Sequence, residues 1–450
     1  MSPTEALEAV ISAIDQHNQQ LFAFCTLTLD QARADAREVE RKLAAGEDPG
    51  PLMGIPMGIK DLILTRGTRT TGGCLAYADY VPDEDDIVVE RLRAAGAIIL
   101  GKTNVSELGY SLTGDNPIFG TTRNPWDPKL SSGGSSAGAA VAVATGMGPV
   151  AIGSDGGGSI RLPAAFCGVF GFKPSMGRVP LYPGCRDERL PGLSSWESLE
   201  HIGPLSRTVE DAALVMSVIA GPDPRDRHSI PSEAATWREL RECNIVGRRV
   251  AYCPTWDGVA VDPQIRAQTD LAARVFADEL GCLVEEITPS FGKLVLNFRT
   301  IMAAESDLPG MRAMAERLAE RMSPNLRKFL QIDWTAEMLT DALKFRKSAA
   351  NQMWRLMARY DYILTPTTSD LPPLADKAEG AEDVVRPLPS FTCIANMTGQ
   401  PAASMPAGWT PAGLPVGVQI IGRHLADRDV LCAAAGFEQA HPWSDRWPCL

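Results

Sequence analysis

Apolar residues recur at three- and four-residue intervals in several stretches of the chain, and each such stretch predicts a helix. The opening MSPTEALEAVISAIDQHNQQ reads as an amphipathic helix, and DQARADAREVERKLAAG (30–46) reads as a second, with Asp at its start and Gly at its stop. DDIVVERLRAAG (85–96) predicts a third and runs directly into the strand-like AIIL, giving helix then strand. SRTVEDAALVMSVIAG (206–221) carries a cap pair, Thr208 and Asp211, and a terminal glycine. Short apolar runs at 249–252, 361–365 and 417–421 read as strands, and PVAIGSD (149–155) as a strand that ends in a polar turn. Alternation of this kind predicts an α/β layered fold with a mixed sheet between helices. From about 290 to 385 the pattern is less regular, with Met, Phe and Trp spread through helical stretches. That segment reads either as the wall of a substrate pocket or as ordinary helical packing.

Composition narrows the function classes. At 450 residues, with 45% hydrophobic and 22% charged residues, the chain has neither the bias of a disordered protein nor that of a fibrous one. Length alone suggests two or three domains, although large α/β enzymes reach it as one. A net charge of -12 with no basic run argues against a nucleic-acid surface. The ten cysteines (25, 74, 167, 185, 243, 253, 282, 393, 432 and 449) contain no CxxC pair, and several sit in apolar stretches. They read as buried thiols in a reducing compartment, with neither a disulfide frame nor a metal site. The N-terminus has acidic residues where a signal peptide has basic ones, and the apolar run from Gly138 to Gly153 is too short and small-sided for a membrane span. The expectation is a soluble cytoplasmic protein with no membrane partner.

Three stretches carry candidate chemistry. GGSSAGAAVAVATGM (133–147) holds a GxSxG match around Ser136. A nucleophile elbow must follow a buried strand, whereas TTRNPWDPKLSS precedes this one, so the glycines and serines read as a loop entering a tightly packed helix. His17, His201, His228, His424 and His441 lie in no arrangement that suggests a catalytic base. GSDGGGSIRL (153–162) begins where the predicted strand emerges, and it lacks both the GK[ST] ending of a phosphate loop and the GxGxxG spacing of a dinucleotide site. It reads as a plain turn, or as an oxyanion hole in which the N–H groups of Gly156, Gly157, Gly158 and Ser159 face a carbonyl attacked by Ser159. GIPMGIKDLIL (54–64) sets Lys60 inside an apolar stretch. There it either snorkels or pairs with Asp61, or burial lowers its pKa and keeps it neutral as a base.

Taken together, GIPMGIKD, GGSSAGAA and GSDGGGSIRLPAAFCGVFGFKPS resemble the three motifs of the amidase signature family, and the intervals agree: 75 residues from Lys60 to Ser135 and 24 from Ser135 to Ser159. The likeness continues through 201–226 and 391–423. It implies one α/β/α domain over residues 1–450 with a central mixed sheet, a core at about 50–225 and 390–440, and a variable pocket region at about 230–390. It also implies a Ser-Ser-Lys triad: Ser159 as nucleophile, Lys60 as base and Ser135 between them, with a cis peptide bond before Ser135. Asp155 and Arg161 would pair to hold the loop, Ser154 would hydrogen-bond near the triad and Ser136 would support it. The family commonly has Thr or Ile where this chain has Gly156, so the missing side chain is expected to widen or loosen the oxyanion hole.

The implied reaction is amide hydrolysis through an acyl-enzyme, with water and a small-molecule amide or carbamate as reactants and neither cofactor nor metal. The aromatic and methionine content of 294–356 tilts the expected substrate toward an aryl or bulky apolar amide, and carbamates (urethanes) and esters fall within the family's range. The loop 181–196, with Tyr182 and Trp196, reads as a pocket rim or a solvated loop. The alternative is the A subunit of the tRNA-dependent amidotransferase, a glutaminase that works with a partner subunit. The sequence does not fix the oligomeric state.

Overall fold

The computed structural model describes residues 1–183, 196–231, 237, 240, 243–376 and 390–450. In chain order the strands are β1 (Phe24–Leu27), β2 (Pro56–Lys60), β3 (Ile98–Thr103), β4 (Asp115–Asn116), β5 (Gly120–Thr121), β6 (Val150–Ser154), β7 (Phe170–Lys173), β8 (Ile202–Ser206), β9 (Arg249–Tyr252), β10 (Leu283–Glu286), β11 (Tyr362–Pro366), β12 (Ala402–Trp409) and β13 (Pro415–Gly422). Strands β4 and β5 form a separate ribbon, and the other eleven form one sheet in the order β1-β3-β2-β6-β8-β7-β12-β13-β11-β9-β10. The sheet is mixed, as expected: β2 runs parallel to β3 and β6, whereas β8 is antiparallel to β6 and β7.

The helices are α1 (Pro3–Leu21), α2 (Leu29–Ala44), α3 (Ile87–Ala94), α4 (Ala137–Ala144), α5 (Arg161–Cys167), α6 (Val209–Ile219), α7 (Pro263–Arg274), α8 (Leu294–Ala304), α9 (Leu308–Leu318), α10 (Pro324–Leu330), α11 (Ala336–Arg359), α12 (Cys393–Thr398) and α13 (Asp427–Ala440). Their starts follow local chemistry. Ser2 and Glu5 close a reciprocal capping box on α1, Asp86 accepts the Val88 N–H at 3.0 Å to open α3, and Thr208 accepts the Asp211 N–H at 3.2 Å to open α6.

Strand alternation explains the layers. Ile98, Leu100 and Ala151 face α1, α2, α4 and α5, whereas Ile99, Val150 and Ile152 face α3, α6, α7 and α13. Each fully buried aliphatic side chain stabilises these layers by about 1.5–3 kcal/mol. The small residues of α4 let it approach closely: a Cβ on Gly138 would lie 2.1 Å from the Ala23 carbonyl oxygen. Helices α8 and α11 close a third apolar cluster with Trp196, Trp256 and Phe391, while α9 and α10 pack on Cys74, Tyr77 and Leu108.

One sequence expectation fails here. Cys243 and Cys432 form a disulfide, with Cα atoms 5.6 Å apart across 189 residues of sequence. Cys432 lies on α13, which folding brings beside Cys243, and no local spacing could reveal so distant a pair. Among the described residues the other cysteines are free, and Cys185 lies outside that set. No helix among the described residues is long and apolar enough to cross a membrane.

Candidate active site

Parallel strands β2 and β6 leave the sheet side by side, with Ile59 in register with Ile152. Lys60 is the last residue of β2 and Ser154 the last of β6, so both stand at carboxyl ends of neighbouring parallel strands, where open α/β sheets bind ligands. The Lys60 Nζ lies 2.8 Å from Ser135 Oγ, 2.9 Å from Ser154 Oγ and 3.0 Å from the Ser154 carbonyl oxygen. As an ammonium, lysine has three N–H donors for those three oxygens; as a neutral amine it has a lone pair that can take the Ser135 proton. Lys60 and Ser135 are buried, and Ser159 is 5% exposed.

The segment that enters α4 is laced to its neighbours. The Gly134–Ser135 peptide bond is cis. The Ser135 carbonyl accepts the Ser106 N–H at 3.4 Å, and the Ser136 N–H donates to the Ser159 carbonyl at 3.1 Å. Ser136 Oγ donates to the Ser154 carbonyl at 3.1 Å and accepts the Ser154 N–H at 3.3 Å. Ser136 therefore ties the Ser135 segment to both other arms of the site. Among the described residues the Ser159 hydroxyl has no hydrogen-bond partner, and neither do the amides of Gly156, Gly157 and Ser159.

Asp155 and Arg161, both fully buried, brace the glycine loop. Arg161 Nη2 and Nε donate to the two Asp155 carboxylate oxygens at 2.8 and 3.0 Å. Burial pushes the Asp155 carboxyl up, but the Arg161 charge and the hydrogen bonds from Arg161 and Asn396 hold it far below the usual carboxylate range. Asp155 also accepts the Gly158 N–H at 2.7 Å and the Ile160 N–H at 3.1 Å, which fixes the turn between them. At Gly158, φ is +131°, and a Cβ there would fall 2.3 Å from Thr392 Oγ1, so only glycine fits.

Two expectations about this loop need correction. The Gly158 amide points at Asp155, so it is spent on holding the loop, which leaves the amides of Gly156, Gly157 and Ser159 as the candidate donors. Nor does Gly156 widen the site: its missing side chain is replaced by the Trp196 ring, whose Cε3 would lie 2.9 Å from a Cβ at 156, and by Glu200 Oε2 at 3.0 Å. The rim loop splits as well. Tyr182 sits under Arg225 (5.5 Å to the ring centroid), with its carbonyl accepting the Ile87 N–H at the start of α3, while Trp196 lies on the glycine loop; residues 184–195 lie outside the described residues. His201 backs the loop through its carbonyl, which accepts the Asp155 N–H at 2.7 Å, and its ring Nδ1 faces the Leu199 carbonyl at the same distance.

Sequence reading missed the far side of the brace. Arg161 Nη1 donates to Gln419 Oε1 at 2.6 Å and to the Thr392 carbonyl at 2.9 Å, and Nη2 donates to Asn396 Oδ1 at 2.6 Å. Asn396 Nδ2 returns to the Asp155 carbonyl at 2.7 Å, and Thr392 Oγ1 donates to the Gly157 carbonyl at 2.6 Å. The available signal was Arg161 itself: a guanidinium in an apolar segment demands acceptors, although nothing local says which.

A mixed sheet between helix layers carries this polar site at its strand ends, and likeness to acylamidases defines the class: the protein is a hydrolase of C–N bonds, an amidase. The chain belongs to the amidase signature family, and the Amidase family model matches residues 5–431. It is 39% identical to an acylamidase of Rhodococcus erythropolis, over all of this chain and 94% of that one. It is 36% identical to the A subunit of the glutamyl-tRNA(Gln) amidotransferase of Geobacillus kaustophilus (strain HTA426), over all of this chain and 96% of that one. Among solved structures, a bacterial aryl acylamidase of the amidase signature family superposes with a TM-score of 0.88 at 33% identity, covering 99% of this chain and 94% of that one.

Proposed function

We propose that the protein hydrolyses aryl or bulky apolar carboxamides through an acyl-enzyme on Ser159. The observation that carries this reading is the buried Lys60 amine 2.8 Å from Ser135 Oγ, a base set against a hydroxyl. In the first half-reaction Ser159 Oγ bonds to the amide carbon, its proton passes to Ser135, and the Ser135 proton passes to Lys60. The C–N bond then breaks as Ser135 protonates the leaving nitrogen and Lys60 returns a proton to Ser135. Water, deprotonated by the same route, attacks the ester, releases the acid and restores Ser159. The amides of Gly156, Gly157 and Ser159 hold the negative oxygen.

The likeness to an acylamidase and an aryl acylamidase supports an apolar substrate. Turnover of glutamine, simple aliphatic amides, anilides and aryl carbamates, with Ser159→Ala as control, tests the reading. Anilides are expected to be turned over best, and Ser159→Ala to be inactive. Because Lys60 must be neutral to act, the rate is expected to rise toward alkaline pH; a profile flat from about pH 6 to 10 removes Lys60 as the base. The 36% identity to an amidotransferase A subunit favours a second reading, release of ammonia from glutamine for a partner subunit. Turnover confined to glutamine would establish it.

A further inference from the structure

The glycine loop is gripped on its apolar side by two rings that take the places of its missing side chains. A Cβ on Gly156 would lie 2.9 Å from Trp196 Cε3, and one on Gly157 would lie 2.4 Å from Phe298 Cζ. Trp196 and Phe298 are both buried. Neither ring is free to drift. Trp196 Nε1 donates to Ser306 Oγ at 3.1 Å, and its ring stands edge-on to Tyr110 with centroids 4.7 Å apart. Its φ of +34° is a backbone conformation that bulky residues rarely adopt, so surrounding contacts must hold it.

Those contacts come from the helical segment. The Trp196 N–H donates to the Glu305 carbonyl, just past α8, at 3.3 Å. Two residues on, the Ser198 N–H donates to Glu305 Oε2 at 3.0 Å, while Arg346 of α11 donates to the Ser198 carbonyl at 2.7 Å and to the Met397 carbonyl at 2.7 Å. Phe298 is itself on α8. Helix α8 thus reaches two successive loop residues, one directly and one through the turn at 196–200.

We infer that Trp196, with Phe298, is a positioning residue: its ring fixes the path of the Gly156–Gly157 backbone and so the aim of the amides that face the carbonyl oxygen. The inference rests on the proposed acyl-enzyme reading. Glycine at 156 and tryptophan at 196 are then one device, since a side chain at 156 and the ring at 196 compete for the same space. The effect belongs to the chemical step and is shared by every substrate.

A double-mutant cycle over Gly156→Ala, Trp196→Ala and the pair, with kcat and KM read on an aliphatic amide and an anilide, tests this. Trp196→Ala is expected to lower kcat about tenfold on both substrates, short of the ~100-fold cost of deleting an oxyanion donor, with KM within about twofold. Trp196→Phe restores most of the rate, and the double variant is faster than the product of the two single losses predicts. Losses that simply multiply, or a KM increase confined to the anilide, overturn the inference; the latter makes Trp196 a substrate wall. Should Trp196→Ala fail to fold, Phe298→Leu removes the ring packed on Gly157, and it must lower kcat on both substrates, with KM within about twofold, for the inference to stand. A Ser159→Ala enzyme that stays active defeats the acyl-enzyme reading, whereas an inactive Ser159→Ala beside a normal Trp196→Ala defeats this inference alone.

Discussion

The two sides of the glycine loop are built by different forces. Toward the strands, Lys60, Ser135, Ser136, Ser154, Asp155 and Arg161 are held by hydrogen bonds between buried groups, most of them shorter than 3.2 Å. Toward helices α8 and α11, the same loop meets the rings of Phe298 and Trp196, and the polar ties lie a layer further out, at Ser198, Glu305 and Arg346. A buried polar network tolerates no missing partner, because each orphaned group loses water without replacement. A ring packed on backbone tolerates changes of chemistry better than changes of volume. The strand side is therefore expected to fail on loss of charge, and the helix side on loss of shape.

The largest effect tests the chemistry itself. Ser159→Ala is expected to lower kcat by a factor on the order of 10⁴ to 10⁶ while leaving thermal unfolding nearly unchanged, as assays and calorimetry on one preparation would read. Next, Arg161→Met leaves the Asp155 carboxylate buried without its counter-charge, and denaturant unfolding should show a loss of about 3–5 kcal/mol. A loss below about 1 kcal/mol would mean that Asn396 and the loop amides satisfy Asp155 without Arg161, and the contrast between the two sides would weaken.

Acid dependence sharpens the comparison. The Asp155 carboxyl is depressed in the folded state, so its contribution is complete above the unfolded value of about 3.9 and is lost as pH falls toward the folded one. The stability gap between wild type and Asp155→Asn should therefore be wide at neutral pH and narrow steadily below about pH 4. A gap constant across that range would show that folding leaves the Asp155 carboxyl unshifted. The smallest effect is expected on the outer surface of the helical side. Trp354 of α11 is 70% exposed, and its change to Ala should move stability by no more than about 0.5 kcal/mol and leave kcat unchanged.

Much of the strand side was legible in the sequence because its signals are local. Lys60 ends an apolar run that becomes β2, Ser154 ends the run that becomes β6, and Ser135 and Ser136 sit where a loop of small residues enters α4. The helices at 30–46, 85–96 and 206–221 appear at those places with their ends shifted by one to three residues, because caps and glycines lie near their limits. Arg161 could be marked as needing acceptors, but Thr392, Asn396 and Gln419 reach it across more than 230 residues of chain. A separation of 189 residues hid the Cys243–Cys432 pair in the same way.

What the sequence determined by itself was the chain order of those strands and helices that carry a clear period, the three polar motifs and the intervals between them. Periodicity, capping and φ preference act over a few residues, and a few residues suffice to read them. Only the tertiary structure decided that Gly158 gives its amide to Asp155, that Trp196 occupies the space Gly156 leaves and that α8 stands behind both rings. Close packing settles these points: a buried space is filled by whichever side chain the fold brings there, and its distance along the chain carries no weight.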